Sequence, residues 1–150
     1  QCNTNYTNSM ENFKFLNLRV LESYKKLFGS KIILGLSDHT PGHVSVLGSI
    51  SLGARVIEKH FTDSNHRKGP DHRFSLNPIT WKKMIEDVRI LESSMGDGVK
   101  KIEKNEIESS IIQRRGVWLK KDVKIDEKFE EKHVEILRPC PKNSLDIFER

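Results

Sequence analysis

The stretch that decides the fold is residues 31–62, which read KIILGLSDHTPGHVSVLGSISLGARVIEKHFT. The apolar run Lys31–Leu36 predicts a short buried strand, and Arg55–Glu58 predicts a second one. Between them, the small and apolar residues of Val44–Leu52 predict a helix that packs close to a sheet, and Gly53 ends it. A strand, a crossover helix and a second strand in this order predict a parallel pair of strands.

Helices are predicted on both sides of this unit. Residues 12–28 carry apolar side chains at helical spacing, and Gly29 is a natural stop. A further helix is predicted from Ile79 to about Met95, because Pro78 stands in its first turn. Helices that alternate with short strands predict an α/β fold with a parallel sheet and helical crossovers.

The character of the sequence changes after residue 100. Residues 101–108 are highly charged and are interpreted as a linker. Beyond them, Val117–Leu119 and Val134–Leu137 resemble strands of a small β-rich module. We therefore expect a first domain at 1–100 and a second at 109–150.

Composition excludes several classes of protein. Apolar residues make up 35% of the chain, too many for a disordered segment. The net charge of +5 comes from interleaved Lys, Asp and Glu, which favours a solvated surface or small anionic substrates over nucleic acid. Two cysteines make no disulfide framework, and no apolar run approaches the roughly 20 residues of a membrane span. With no visible signal peptide, we expect a cytoplasmic protein, and the start at Gln1 suggests a segment of a longer chain.

Two polar clusters follow the two predicted strands directly, one around His39 and the other around His60. Active sites of parallel α/β sheets and barrels form at the carboxyl ends of strands, and neighbouring strands lie about 4.8 Å apart. The two imidazoles could therefore face one ion, and imidazole suits Mn, Fe, Co or Zn. The alternative is that each histidine is a hydrogen-bonded structural residue.

Each cluster also contains a carboxylate, Asp38 in the first and Glu58 in the second. These carboxylates either orient the imidazoles from behind or bond only to backbone turns. A third carboxylate, Asp71, stands in the sequence Gly-Pro-Asp-His, whose turn residues can aim it. Its alternative role is to cap that turn. Tyr6 lies in a polar segment that we expect to line the same rim.

Three strings together resemble the sialic acid synthase family: GLSDHT at 35–40, VIEKHFT at 56–62 and GPDH at 69–72. That family includes the N-acetylneuraminate, legionaminate and pseudaminate synthases and related spore-coat polysaccharide proteins. The resemblance implies the C-terminal part of a (β/α)8 TIM barrel followed by a small antifreeze-like (SAF) domain. On that template the first five barrel strands are absent, and with them most of the contacts to phosphoenolpyruvate.

The resemblance also implies roles for individual positions near the metal. His39 and His60 match the two metal ligands of the family. Ser37 matches a residue that contacts phosphoenolpyruvate. Glu58 matches an acidic residue close to the metal, where it is interpreted as a catalytic group that activates water.

Other positions match the sugar side of the family's site. Tyr6 and Asp71 match residues that contact the amino sugar, and Asp71 is interpreted as catalytic as well. Arg138 matches an arginine that one subunit of a domain-swapped homodimer inserts into its partner's site. The family's Tyr-Pro-Thr-Pro motif is replaced here by Tyr-Thr-Asn-Ser at residues 6–9, so the loop conformation there is open.

The implied function is a transferase reaction. Phosphoenolpyruvate condenses with an N-acylated amino sugar to give a nonulosonic (sialic) acid and phosphate, with Mn²⁺ as the expected metal and Mg²⁺ or Co²⁺ as alternatives. Neither nucleic acid nor a membrane is expected as a partner. Three other interpretations stay open: a different 2-keto-sugar-acid synthase, a non-catalytic sugar-binding or interaction protein, and a fragment that is inactive and poorly soluble alone.

Overall fold

The computed structural model describes residues 1–6 and 9–140, which fall into two compact units, the first ending at Gly98 and the second beginning at Val99. Residues 141–150 of the expected small module, and positions 7 and 8 of the altered first motif, lie outside the described residues. The regular elements of the first unit are α1 (Val20–Phe28), β1 (Gly35–Asp38), α2 (Val44–Ser51), β2 (Val56–Lys59) and α3 (Pro78–Ser94), with 3-10 turns at Met10–Phe15 and Gly29–Lys31.

The two strands of the first unit pair in parallel, as predicted. Their register runs from Gly35 opposite Val56 to Asp38 opposite Lys59. A single parallel bridge joins Cys2 to β1 on its other side, at Ser37. The sheet therefore brings three successive chain segments together at their carboxyl ends.

Two element boundaries differ from the predictions. The first strand begins at Gly35, because residues 29–31 form a 3-10 turn and Ile33 is exposed. The predicted helix at 12–28 is two elements, a 3-10 turn and α1. They are separated at Asn17, whose φ of 45° lies in the left-handed region that ends helices.

One face of the sheet packs against helices and forms the core. Ile57 of β2 contacts two clusters of buried apolar side chains, one on each side of it. The first cluster contains Val46, Leu76, Met84 and Val88, and the second contains Leu21, Leu34 and Ala54. The opposite face carries Ser37, Val56 and Glu58, and Val56 is 57% exposed there. The sheet is thus covered on one face only within this unit.

A buried ion pair joins the ends of the two strands. Lys59 Nζ lies 2.5 Å from Asp38 Oδ2, and their side chains are 1% and 0% exposed. Lys59 also donates to the Thr40 carbonyl at 2.6 Å, and Asp38 accepts from the Thr40 amide, the Thr40 hydroxyl and the Ser45 hydroxyl. In the described ranges, every buried side-chain nitrogen and oxygen has a hydrogen-bond partner. The pair is therefore fully satisfied, as a buried charge pair must be to persist.

The pKa values of the two groups follow from this environment. Burial by itself raises the pKa of Asp38, but the hydrogen bonds from Lys59 and Ser45 and the charge of Lys59 outweigh it, so the pKa lies below its ordinary value of 3.8. Burial lowers the pKa of Lys59, and Asp38 offsets part of that effect. Asp38 thus remains an anion across the neutral range.

The second unit is built around an antiparallel pair, β3 (Gly116–Leu119) and β4 (Val134–Leu137). Both strands lie where the sequence predicted them. The expected linker at 101–108 is not irregular, since it contains a 3-10 turn at Lys104–Glu106 and the start of α4 (Ile107–Ile112). A 3-10 turn at Glu131–His133 precedes β4. Among the helices of the described ranges, none combines the length and apolar character needed to cross a membrane.

Replacement of one partner tests the energetic importance of the ion pair. Lys59→Met should lower the free energy of unfolding by about 3–5 kcal/mol, because it leaves the Asp38 carboxylate buried without its cation. Lys82→Met, at a lysine whose side chain is 79% exposed, should change the free energy by no more than about 0.5 kcal/mol. Urea unfolding monitored by circular dichroism measures both, and equal effects of the two substitutions would contradict the assigned role.

The lowered pKa of Asp38 also predicts the direction of acid sensitivity. The folded pKa lies below the unfolded one, so the stabilisation is complete above about pH 4, the unfolded value, and is lost as the pH falls through the folded pKa. In urea unfolding between pH 6 and pH 3, Asp38→Asn should lack this contribution. The slope of stability against pH in the acid range should then be shallower by up to about 1.4 kcal/mol per pH unit. Parallel curves for wild type and variant would show that Asp38 does not titrate this way.

Candidate functional site

The two predicted histidines meet at the carboxyl ends of the paired strands. His39 follows the last residue of β1 and His60 follows the last residue of β2. Their ring centroids lie 5.1 Å apart, with an angle of 76° between the ring planes. His39 is 4% exposed, and His60 is partly exposed. The parallel register of β1 and β2 thus produces the juxtaposition that the sequence predicted.

Each imidazole has its Nδ1 atom directed at an oxygen. His39 Nδ1 lies 2.8 Å from the Asn3 carbonyl, and a carbonyl can only accept, so the proton is on Nδ1. His60 Nδ1 lies 3.6 Å from Asp71 Oδ2, too far for a hydrogen bond but close enough for the carboxylate to favour a proton on that nitrogen. In the neutral form of both rings, Nε2 therefore carries the free lone pair.

Neither carboxylate of the two polar clusters orients an imidazole. Asp38 is committed to the ion pair with Lys59, on the helix-covered side of the sheet. Glu58 accepts a hydrogen bond of 2.8 Å from the hydroxyl of Ser37, its partner in the strand register. The hypothesis that Asp38 or Glu58 supports the histidines is therefore wrong, because strand alternation directs Asp38 away and Glu58 already pairs with Ser37.

Ser37 and Glu58 lie together on the open face of the sheet. Both line a cavity of about 540 Å³, to which Gln1, Cys2 and Val56 also contribute. Because side chains alternate along a strand, Ser37 is on the same side as the position two residues later, which is His39. The same alternation relates Glu58 to His60.

Two aromatic rings flank the histidine pair. The ring centroid of Tyr6 lies 4.1 Å from that of His39 and 5.4 Å from that of His60, and the tyrosine is 55% exposed. On the other side, the buried ring of Phe74 lies 5.0 Å from His60. Tyr6 thus lies over both imidazoles while its surface remains accessible, and Phe74 provides an apolar wall.

Asp71 and Arg138 complete the predicted set in different ways. The side chain of Asp71 is 51% exposed and directs its carboxylate at His60. Arg138 follows β4 in the second unit and is exposed. The other six predicted site residues, Tyr6, Ser37, His39, Glu58, His60 and Asp71, belong to the first unit.

Sequence reasoning missed three residues that build this site: Asn3, which orients His39; Lys59, which joins the strand ends; and Phe74. The sequence did contain a signal for Lys59. Strand alternation directs its side chain to the face opposite that of His60, and a lysine buried on that face requires an anion as its partner. Asn3 acts through its backbone carbonyl, so its side-chain identity carries no such signal.

Two imidazoles are the nitrogen donors that this site could offer to a divalent metal. At residues 1–6 and 9–140, no group of three or more His, Cys, Asp or Glu side chains is arranged to hold a metal. The chain itself offers the two Nε2 atoms of His39 and His60, and neutral imidazole is a common ligand of divalent transition metals. Water and substrate oxygens would have to supply the remaining ligands.

Comparison with known proteins shows the family of the chain. Residues 1–100 match the model of the NeuB family. The chain is 42% identical over 129 residues to N,N'-diacetyllegionaminic acid synthase of Campylobacter jejuni, covering 85% of the chain and 38% of that protein. It is 34% identical over 139 residues to pseudaminic acid synthase of the same organism, covering 93% of the chain and 39% of that protein.

The chain is also similar to a solved structure. The crystal structure of the spore coat polysaccharide biosynthesis protein SpsE of Bacillus subtilis superposes with a TM-score of 0.56 at 28% identity, covering 91% of the chain and 41% of that structure. The chain spans about two fifths of the length of each of these relatives. The family model and the relatives agree, and the chain belongs to the NeuB family of sialic-acid-synthase-like proteins.

Proposed function

We propose that the complete protein condenses phosphoenolpyruvate with an N-acylated amino sugar, forming a nonulosonic acid and phosphate. The observation that carries the proposal is the pair His39 and His60, with ring centroids 5.1 Å apart at adjacent strand ends and both Nε2 atoms available. Membership of the NeuB family supports the same chemistry, since two relatives are named as synthases of legionaminic and pseudaminic acid.

In this proposal His39 and His60 hold a divalent metal, with Mn²⁺ as the first candidate and Mg²⁺ or Co²⁺ as alternatives. When bound there, such an ion would supply Lewis acidity, which would make the open-chain aldehyde of the sugar a better electrophile. The Asn3 carbonyl accepts from Nδ1 of His39, which leaves Nε2 of the neutral ring for the metal, and the Asp71 carboxylate faces Nδ1 of His60 at 3.6 Å. We therefore assign Nε2 of each ring as the atom that binds the metal.

Ser37 and Glu58 act on the phosphoenolpyruvate side. As C3 of phosphoenolpyruvate bonds to the aldehyde carbon, C2 becomes electron-deficient and water adds to it. Glu58 accepts a proton from that water, and the alkoxide formed from the aldehyde takes up one proton in exchange and becomes a hydroxyl. The tetrahedral carbon then loses phosphate by C–O cleavage, and its hydroxyl gives its proton to the departing phosphate to leave a ketone. In this proposal the hydroxyl of Ser37, which donates to Glu58 at 2.8 Å, contacts phosphoenolpyruvate and orients the carboxylate.

Tyr6 and Asp71 act on the sugar side. The accessible ring of Tyr6 over the two imidazoles offers a surface for the sugar, and the half-exposed Asp71 carboxylate can accept hydrogen bonds from its hydroxyls. We assign to Arg138 the N-acyl end of the sugar, with the arginine supplied by the partner in a domain-swapped homodimer. The exposure of Arg138 is compatible with that role.

The proposal extends to the fold of the complete protein. A parallel pair with helices on one face and an open polar face suits part of a (β/α)8 barrel, whose strand ends carry the active site. The small antiparallel unit beyond residue 98 suits the SAF domain. A biosynthetic enzyme that uses phosphoenolpyruvate would work in the cytoplasm.

Phosphate release tests the proposal. The complete protein, incubated with phosphoenolpyruvate, Mn²⁺ and a panel of N-acylated amino sugars, should release phosphate with at least one sugar. Chelation by EDTA should abolish release and added Mn²⁺ should restore it. The double variant His39→Ala/His60→Ala should lose at least about 100-fold in rate, because no pair of ligands remains.

His66→Ala is the matched control, since this histidine is exposed and lies outside the site. It should retain the wild-type rate. Folded, Mn²⁺-loaded protein that releases no phosphate with any sugar would replace the synthase proposal by a non-catalytic sugar-binding protein. Full activity in the double variant would remove the histidines from the mechanism.

A further inference from the structure

The loop that carries Asp71 begins and ends beside His60. This segment, residues 63–75, is called the Asp71 loop below. At its base, the Thr62 amide donates to the Leu76 carbonyl and the Leu76 amide donates to the His60 carbonyl, both at 2.9 Å. Both limbs of the loop are therefore fastened to the segment that presents the imidazole.

Asn65 joins the two limbs of the Asp71 loop. Its Nδ2 atom donates to the His72 carbonyl at 2.7 Å and to the Ser75 carbonyl at 2.8 Å, and its Oδ1 accepts from Asn77 Nδ2 at 2.8 Å. Both N–H groups of the amide are thus in use, on carbonyls of two residues that follow Asp71 in the chain. A side chain with this bonding fixes the path of the backbone between residues 71 and 76.

His72 fastens the same limb from the other side. Its Nδ1 lies 2.8 Å from the Thr62 hydroxyl, at the base of the loop. Its ring packs on Gly69, where an added Cβ would lie 2.8 Å from His72 Cδ2. Gly69 also has a φ of +152°, which side-chain-bearing residues rarely adopt. The position of the His72 ring therefore depends on a glycine at residue 69.

The carboxylate of Asp71 is held in place through its backbone. The Asp71 carbonyl accepts from the Ser75 hydroxyl at 2.6 Å and from the Ser75 amide at 3.2 Å. In the described part of the chain, the ionisable side chain paired with the carboxylate is His60, whose Nδ1 lies 3.6 Å from Asp71 Oδ2. The orientation of this side chain is consequently set by how firmly the Asp71 loop is fastened around it.

We infer that Asn65 and His72 are positioning residues, which hold the Asp71 carboxylate between His60 and the amino sugar. The inference rests on the proposed function, in which Asp71 contacts the sugar and His60 binds the metal. Asn65 and His72 touch neither substrate nor metal in this scheme, and they act through the backbone of Asp71. Their loss should therefore affect the sugar far more than phosphoenolpyruvate.

Asn65→Asp isolates the contribution of the amide N–H groups. The substitution keeps the size of the side chain and the oxygen that accepts from Asn77, but it turns an oxygen toward the His72 and Ser75 carbonyls. The KM for the amino sugar should rise about 10-fold, because small misplacements of a substrate-positioning group have effects of this size. The KM for phosphoenolpyruvate should stay within about 2-fold, and His66→Ala, in the same loop, should change neither constant.

Gly69→Ala tests the His72 contact independently. It should raise the KM for the amino sugar in the same direction by displacing the ring. Gly42→Ala is its control, because Gly42 also has a positive φ, +69°, but an added Cβ there meets nothing within 4 Å. An unchanged sugar KM in both Asn65→Asp and Gly69→Ala, or an equal rise for both substrates, would overturn the inference.

Trypsin cleavage provides a measurement that does not require synthase activity. Arg67 and Lys68 are exposed within the Asp71 loop, so a loosened loop should be cut there several-fold faster in Asn65→Asp than in His66→Ala. If the wild type proves inactive with every sugar, the proposed function fails. Faster cleavage of Asn65→Asp would still show that Asn65 fastens the loop, whereas equal cleavage rates in the two variants would overturn that role of Asn65.

Discussion

The structure of the first unit depends on the buried ion pair between Asp38 and Lys59. Each partner immediately precedes one of the paired histidines, and each lies on the helix-covered side of its strand. Because neighbouring side chains alternate between faces, fixing Asp38 and Lys59 together also fixes where His39 and His60 emerge on the other side. The buried charges of Asp38 and Lys59 thus help to define the relative position of the two imidazole rings.

Such a pair is stable only if every remaining hydrogen-bonding position is filled. Thr40 and Ser45 fill those positions on Asp38, and the Thr40 carbonyl accepts a second hydrogen bond from Lys59. The turn after β1 and the first turn of α2 are thereby tied to the same point. A network of this kind favours one strand register over its alternatives, since a slip by one residue would leave both charges unpaired.

The candidate site itself is assembled from three chain segments that end at the same edge of the sheet. The segment after Cys2 supplies Tyr6 and the Asn3 carbonyl, the segment after β1 supplies His39, and the segment after β2 supplies His60 and the Asp71 loop. Each imidazole takes its orientation from a different segment, so the site needs all three. This division places the histidine pair at strand ends and the Asp71 carboxylate on a loop fastened by hydrogen bonds.

The sequence by itself determined the parallel strand–helix–strand unit, the two strands of the second unit and the meeting of His39 with His60. These follow from periodicity and from the rule that parallel strands end at the same edge, which need no knowledge of contacts. Only the tertiary structure decided that Asn3 and Asp71, rather than Asp38 and Glu58, face the imidazoles, and that Lys59 is buried. Alternation along a strand tells which side a residue faces, but the partner it meets there depends on register and packing. The break at Asn17 was also decided only by the tertiary structure. The helical spacing of apolar residues continues through this position, although the backbone of Asn17 leaves the helical conformation.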